Sequence, residues 1–247
     1  MMFTIIVVSY NNKDLIGRTL NSLLNQNFKE YELVVIDGGS SDGSLDEFNN
    51  YKLLFPNFYL ISEPDDGIYD AMNKGVKYAS GDYIYFLNLG DAFFNNDVLL
   101  NVSQIIKKNY MYAIYYGNIV WGEQVINYPR KLSMIYFLFE RMVCHQAIFA
   151  SKSYLLNYPF DITLRLCADR DWLTRIIREG ALYKKIDIII AKYDINGASS
   201  NYNRYNVDSI RAIRKSFGVL GVIIVKVKRF FGKILRSIKH VCSNKFD

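Results

Sequence analysis

The chain lacks the residues that several common chemistries require. Its 247 residues hold only two histidines, His145 and His240, which excludes a histidine-rich metal centre. The three cysteines, Cys144, Cys167 and Cys242, are an odd number without CxxC spacing. They argue against a disulfide framework or a zinc site and favour a reducing compartment. No GxGxxG follows the first apolar run and no GxxxxGK[ST] occurs anywhere, so no glycine-rich loop is set up to cradle phosphates. No apolar run approaches the roughly 18 residues of a membrane-spanning helix. Prolines number four, and no linker is evident before about residue 205.

Apolar residues are plentiful. They make up 51% of the chain, with 20 Tyr and 16 Phe, enough for a full core and against disorder. Charge is divided unevenly. Residues 1–210 hold 23 acids and 20 Lys/Arg, whereas residues 211–247 hold ten Lys/Arg and one acid, Asp247. The body is mildly acidic and the tail strongly basic, so the tail needs its own explanation.

Phe3–Ser9 (FTIIVVS) is a continuous β-branched run, too short for a signal peptide and suited to a central parallel strand. Tyr31–Ile36, Phe58–Ser62 and Tyr83–Leu87 read as further strands. Asp14–Asn25, Leu45–Leu54 and Asp70–Ala79 read as the helices between them. The alternation predicts an α/β fold with a mainly parallel sheet. Beyond it, strands are expected at Tyr112–Trp121, Gln146–Ala150 and Ile186–Tyr193, and helices at Ile135–Arg141 and Asp169–Arg178.

In a parallel sheet the strand ends gather at one edge, where ligands bind. Ser9-Tyr10-Asn11-Asn12 follows the first strand, Asp37 the second, and Asn88 and Asp91 the fourth. Turn chemistry alone accounts for any one of these; three together point to a site. Without a glycine cradle, a diphosphate needs a hard divalent cation, held by one or two carboxylates. Asp91 is the candidate ligand, and Asn88 could add a carbonyl oxygen.

Several stretches together resemble the family 2 glycosyltransferases of the GT-A fold. They are Thr4-Ile-Ile-Val-Val-Ser-Tyr-Asn-Asn12, Leu20-Asn-Ser-Leu-Leu-Asn-Gln26, Val34-Val-Ile-Asp-Gly-Gly-Ser-Ser-Asp-Gly-Ser44, Asn73-Lys-Gly75 and Ala79-Ser-Gly-Asp-Tyr-Ile-Tyr-Phe-Leu-Asn88. The run Glu63–Gly75 and Cys144-His-Gln146 resemble a bacterial branch that builds exopolysaccharide, O-antigen or colanic-acid-type sugars. The resemblance implies a GT-A, Rossmann-like mainly parallel sheet flanked by helices, with a nucleotide-sugar half (1–100) and an acceptor half (101–205). It implies that Ser9, Tyr10, Asn12 and Asp37 border the base and ribose. Asp65 or Asp66, with Asn73 and Lys74, would sit near the ribose, diphosphate or donor sugar. The family's DxD metal motif corresponds to Asn88-Leu-Gly-Asp91, where Asn replaces the first acid and the last acid lies one position later. His145 and Gln146 would face the acceptor or the diphosphate. The expected cofactor is Mn²⁺ or Mg²⁺, and the expected donor a UDP-sugar.

The family's later acidic motif aligns with Ala168-Asp-Arg-Asp-Trp172. An acceptor hydroxyl needs a carboxylate to take its proton. Asp169 is expected in that role with Asp171 in reserve; on a helix the two point about 200° apart, so only one faces the donor. Single displacement would invert the anomeric centre. The plain alternative is that both acids serve the helix dipole.

Residues 206–247 form the tail. Drawn as a helix, Ser216–His240 puts Leu220, Ile223, Val227, Phe230, Phe231, Ile234, Leu235 and Ile238 on one face. Lys226, Arg229, Lys233, Arg236 and Lys239 fall on the other. That composition suits an in-plane helix on an anionic membrane surface, or one docked on the body with its charges exposed. It suits nucleic acid poorly, since the body is acidic. The expected partners are therefore a nucleotide-sugar, a glycan or lipid-linked acceptor and the inner face of the cell membrane, reached from the cytoplasm. Two other functions fit an α/β sheet of this kind: a nucleotidyltransferase that makes nucleotide-sugars, and a non-catalytic nucleotide- or sugar-binding module.

Overall fold

The computed structural model describes residues 2–139, 142–193 and 202–243, with side chains over 205–231 in the last segment. The first half alternates as its apolar periodicity predicts: β1 (Phe3–Ser9), α1 (Lys13–Leu24), β2 (Tyr31–Asp37), α2 (Ser44–Lys52), β3 (Phe58–Ser62), α3 (Ile68–Tyr78) and β4 (Tyr83–Phe86). Every residue of β1, β2 and β4 is buried, as befits strands covered on both faces. Phe3, Ile5 and Ile6 have no exposed surface, and each such side chain contributes roughly 1.5–3 kcal/mol on burial.

The second half adds β5 (Ala92–Phe93), α4 (Val98–Lys108), β6 (Ile114–Trp121), β7 (Gln124–Ile126) and α5 (Met134–Phe139). A 3-10 turn at His145–Ala147 leads into β8 (Ile148–Ser151), α6 (Lys152–Asn157), α7 (Ala168–Arg178), β9 (Tyr183–Tyr193) and α8 (Tyr202–Ser243). The described strands form one sheet in the order β3-β2-β1-β4-β8-β6-β9-β5, with β7 on β6. Strands β3, β2, β1 and β4 are mutually parallel, while β8, β5 and β7 run antiparallel to their neighbours. The sheet is thus parallel in its first half and mixed in its second.

Two features position the site. The order β3-β2-β1-β4 reverses direction between β1 and β4, opening a crevice at the carboxyl ends of those strands. Helix α3 also lies close on the sheet: a Cβ at Gly75 would stand 2.6 Å from Ile6 Cγ2 and 3.3 Å from Ile36 Cγ1. Glycine at that position lets the helix reach β1 and β2.

Helix α8 is interrupted at Gly218, with φ 66° and ψ −166°. Arg229 Nη2 lies 3.5 Å from Ser209 Oγ, twenty residues earlier. A straight helix would hold their backbones about 30 Å apart, so the chain folds back at Gly218 into two limbs. The first limb buries Asp208, Ser209, Ala212 and Ile213, and α8 packs on α5 and α7. The second buries Gly221 and Val225 but exposes Val219, Leu220, Ile223, Val227, Phe230 and Phe231. The side chains of Lys233, Ile234, Leu235, Arg236, Ile238 and Lys239, and residue Arg141, lie outside the described residues. No described helix is long and apolar enough to cross a membrane.

Candidate active site

The ends of β1, β2 and β3 meet in register, Ser9 against Asp37 and Asp37 against Ser62. Asp37 is fully buried, and donors surround it. Its Oδ2 accepts from Gly39 N (3.0 Å), Ser40 N (2.8 Å) and Ser62 Oγ (2.8 Å), and its Oδ1 from Ser40 Oγ (2.5 Å). The loop after β1 is locked to the loop after β2 by Asn11, a residue in the left-handed region at φ 49°. Its Oδ1 accepts from Ser41 N at 2.9 Å and its own N–H donates to Ser40 Oγ at 2.8 Å. Asp65 lies over Gly38, where a Cβ would meet Asp65 Oδ2 at 2.5 Å, and its Oδ1 accepts from Gly67 N at 2.8 Å. Tyr10, 60% exposed, borders the same spot, and Ser9 Oγ is buried with no partner among the described residues. Ser9, Tyr10, Asp37 and Asp65 therefore gather at one edge. Asn12 is exposed and donates to Tyr10 O at 2.9 Å. Asp66, next to Asp65 in sequence, is exposed, with its N–H on Asp70 Oδ2 at 3.1 Å.

Three expected site residues are occupied elsewhere. Asn73 spends both ends of its amide on Phe160: Nδ2 donates to the carbonyl and Oδ1 accepts the N–H, each at 2.9 Å. It clamps the loop before α7 onto α3. Lys74 Nζ donates to Pro64 O at 2.7 Å and pairs with Glu63 (3.1 Å) and Asp70 (3.3 Å), bracing the turn that presents Asp65. Asp171 is turned away from the crevice. It is 2% exposed and sits 3.5 Å from both Arg175 Nε and Lys215 Nζ. Helical geometry separates it from Asp169 as the sequence implies.

A second cluster forms where β4 ends. Asn88 Nδ2 lies 2.8 Å from His145 Nε2, and His145 Nδ1 lies 3.2 Å from Asp169 Oδ2. With the amide donating to Nε2, the ring proton sits on Nδ1 and donates to the carboxylate. Asp169 Oδ1 accepts from Tyr69 O–H at 3.1 Å and from Arg170 N at 2.8 Å. Burial, and then the Asp169 charge, raise Tyr69 well above the usual phenol range, so it remains a donor. Next in sequence, Gln146 Nε2 donates to Asp91 Oδ2 at 2.9 Å, and Gln146 O accepts from Tyr85 O–H at 2.9 Å. Gln146 lies in the 3-10 turn rather than in the strand expected to start there. The structure thus joins Asn88, Asp91, His145, Gln146 and Asp169 from three distant stretches. Tyr69 and Asn11 stood inside motifs already evident in the sequence, but their partners are 100 and 30 residues away.

The donor set suits a hard divalent cation in type. Asp91 supplies a carboxylate that is 3% exposed, and Asn88 Oδ1 and Gln146 Oε1 are buried oxygens without partners among the described residues. No group of three or more His, Cys, Asp or Glu placed to hold a metal ion is found among the described residues, so phosphate oxygens would have to complete the shell. A cavity of about 510 Å³ opens at the opposite edge of the sheet, lined by Asp82, Tyr110, Tyr112 and Lys152, and includes none of these residues.

A sheet parallel in one half and mixed in the other, with a switch point between β1 and β4 and helices against it, matches the GT-A fold. Solved structures share it. The chain superposes on S. aureus TarS (1–349) in complex with UDP with a TM-score of 0.66 at 18% identity, covering 87% of this chain and 66% of that one. It superposes on a mannosyltransferase from Pyrobaculum calidifontis in complex with GDP-Man and Mn²⁺ with a TM-score of 0.67 at 16% identity, covering 87% and 63%. It therefore spans about two thirds of those chains. A "PGL/p-HBAD biosynthesis glycosyltransferase" of Mycobacterium bovis (strain BCG / Pasteur 1173P2) is 31% identical over 203 residues, 81% of this chain and 79% of its own length. The Glycosyl transferase family 2 model matches residues 4–161, and the chain belongs to that family. It is a glycosyltransferase.

Proposed function

We propose that the chain moves a sugar from a nucleotide-diphospho-sugar, a UDP-sugar in the first instance, to a glycan or lipid-linked acceptor in surface polysaccharide synthesis, with inversion and Asp169 as general base. One observation carries this reading: Asp169 is held by Tyr69 and His145, and His145 also touches Asn88 of the candidate metal and diphosphate motif. The base is therefore tied to the donor side of the crevice.

Asp169 Oδ2 takes the acceptor hydroxyl proton as the acceptor oxygen bonds to the anomeric carbon. The bond from that carbon to the diphosphate oxygen breaks and the nucleoside diphosphate leaves. Inversion follows from the single displacement. Tyr69 and His145 fix the carboxylate so that an oxygen faces the incoming hydroxyl. Ser9, Tyr10, Asp37 and Asp65 border the base and ribose. A divalent cation held by Asp91, with Asn88 and Gln146 oxygens near, would neutralise the leaving diphosphate. The GDP-Man and Mn²⁺ of the mannosyltransferase and the UDP of TarS support a nucleotide-sugar donor and a divalent cation as the ligands to try.

The second limb of α8 supports a peripheral seat on an anionic membrane, at the inner face. Its exposed row Leu220, Ile223, Val227, Phe230 and Phe231 lies opposite the docked Gly221 and Val225, with exposed Lys226 beside it. Each basic residue near such a surface adds about 1 kcal/mol.

A thermal-shift screen of UDP- and GDP-sugars, each with Mn²⁺, Mg²⁺ or EDTA, tests the donor reading. A rise in midpoint with one nucleotide-sugar that EDTA abolishes is expected. No shift with any nucleotide or nucleotide-sugar overturns it.

A further inference from the structure

We infer that Asp208, on the first limb of α8, is a positioning residue for the transfer reaction: it fixes the start of α7 and thereby the direction in which Asp169 points. This rests on the assignment of Asp169 as base. The first N–H groups of a helix have no partner within the helix, and they are normally met by a capping side chain at its start. Helix α7 has none, because Cys167 stands at the cap position without a side-chain bond. Asp208, about 40 residues further along the chain, instead anchors the two residues that lead into α7. Its Oδ2 accepts from Leu166 N at 2.7 Å and Cys167 N at 2.9 Å, and the residue is only 4% exposed.

Asp169 is the second residue of α7, and its Oδ1 already accepts from the N–H of Arg170 at 2.8 Å. With Asp208 gone, Leu166 N and Cys167 N lose their acceptor and the entry to α7 is free to shift, which carries the Asp169 carboxylate off its contact with His145. The rest of the limb holds α7 in the same pose: Arg170 Nη1 donates to Ser209 Oγ at 3.1 Å and Lys215 pairs with Asp171 at 3.5 Å. The bonds that gather Ser9, Tyr10, Asp37 and Asp65 all arise within β1 to α3, so donor affinity should be separable from Asp208.

The test measures kcat from nucleotide release and donor Kd from binding, for wild type, Asp208→Ala, Asp208→Asn, Asp208→Glu and Asp169→Asn. Asp208→Ala should lower kcat about 10-fold or more with donor Kd within threefold. Asp208→Asn, whose amide oxygen can accept the same two N–H groups, should recover most of the rate. Asp208→Glu, one methylene longer, should stay low. Wild-type kcat in both Ala and Glu variants overturns the inference, as does an equal loss of rate and donor affinity in Asn and Glu alike. If Asp208→Ala does not fold, the Asn and Glu pair decides by the same criterion. Asp169→Asn separates the two claims. If it keeps wild-type turnover, the base assignment fails; if it is inactive while the Asp208 variants are normal, only the role of Asp208 fails.

Discussion

Replacing His145 by alanine removes a group that bridges the end of β4 and α7. Asp169 would keep Tyr69 and Arg170 N, both on Oδ1, and lose the donor on Oδ2 at 3.2 Å. A hydrogen bond to a charged group is worth about 1.5–3 kcal/mol, and 3.2 Å argues for the low end. At about 1.4 kcal/mol per factor of ten, the released carboxylate should cost roughly 10–30-fold in kcat. Donor Kd should move less, since the imidazole touches the donor side only through Asn88. Asn at position 145 places an amide N–H near the position of Nδ1, so His145→Asn should recover part of the loss. Steady-state nucleotide release, with donor Kd measured separately, reads both effects. Turnover of His145→Ala within threefold of wild type, or no advantage of Asn over Ala, would refute the reasoning.

Two further outcomes concern stability. Glu32 is 2% exposed and accepts from Thr4 Oγ1 (2.5 Å), Ser80 Oγ (2.6 Å), Gly81 N (3.2 Å) and Ser80 N, tying β1, β2 and the turn before β4. Glu32→Ala strands these donors and should cost about 3–5 kcal/mol in urea unfolding; Glu32→Gln, which still accepts, should cost about 1–2. Burial pushes the Asp161 carboxyl up, but hydrogen bonds from Lys215 and Thr163 outweigh it and hold it at about 2. A depressed folded value stabilises above the unfolded carboxyl range, near 4, and that contribution fades as pH falls toward 2. Lys215 is 46% exposed, so solvent screening limits the gain to under about 1 kcal/mol. Asp161→Asn should be slightly less stable than wild type at pH 7 and equal to it near pH 2; an equal deficit at both pH values would contradict the pairing.

Strands β1 and β3 run over the residues read from the sequence, because uniform apolar runs closed by Asn, Pro and Glu leave few alternatives. Helix α4 was legible in principle, since Val98, Leu99, Val102 and Ile106 repeat at helical spacing and are buried. It lies in the irregular stretch after Asp91, where β5 is only two residues long and carries no periodicity of its own. The fold-back at Gly218 was not legible. A lone glycine is tolerated within a helix, and it takes the backbone at Gly218 and the contact of Arg229 with Ser209 to reveal the reversal. Among site residues, spacing alone separates Asp169 from Asp171, but only packing against His145 and Lys215 tells which one faces the crevice. The clamp of Asn73 on the backbone of Phe160, 87 residues away, likewise leaves no local signal.

The general base is best examined in Asp169→Asn, which keeps the size of the side chain and an oxygen for Tyr69 and Arg170 N. Acceptor-dependent nucleotide release should fall by at least about 100-fold, the usual scale of general-base catalysis. Binding of the nucleotide-sugar should persist. Release at the wild-type rate would contradict the assignment.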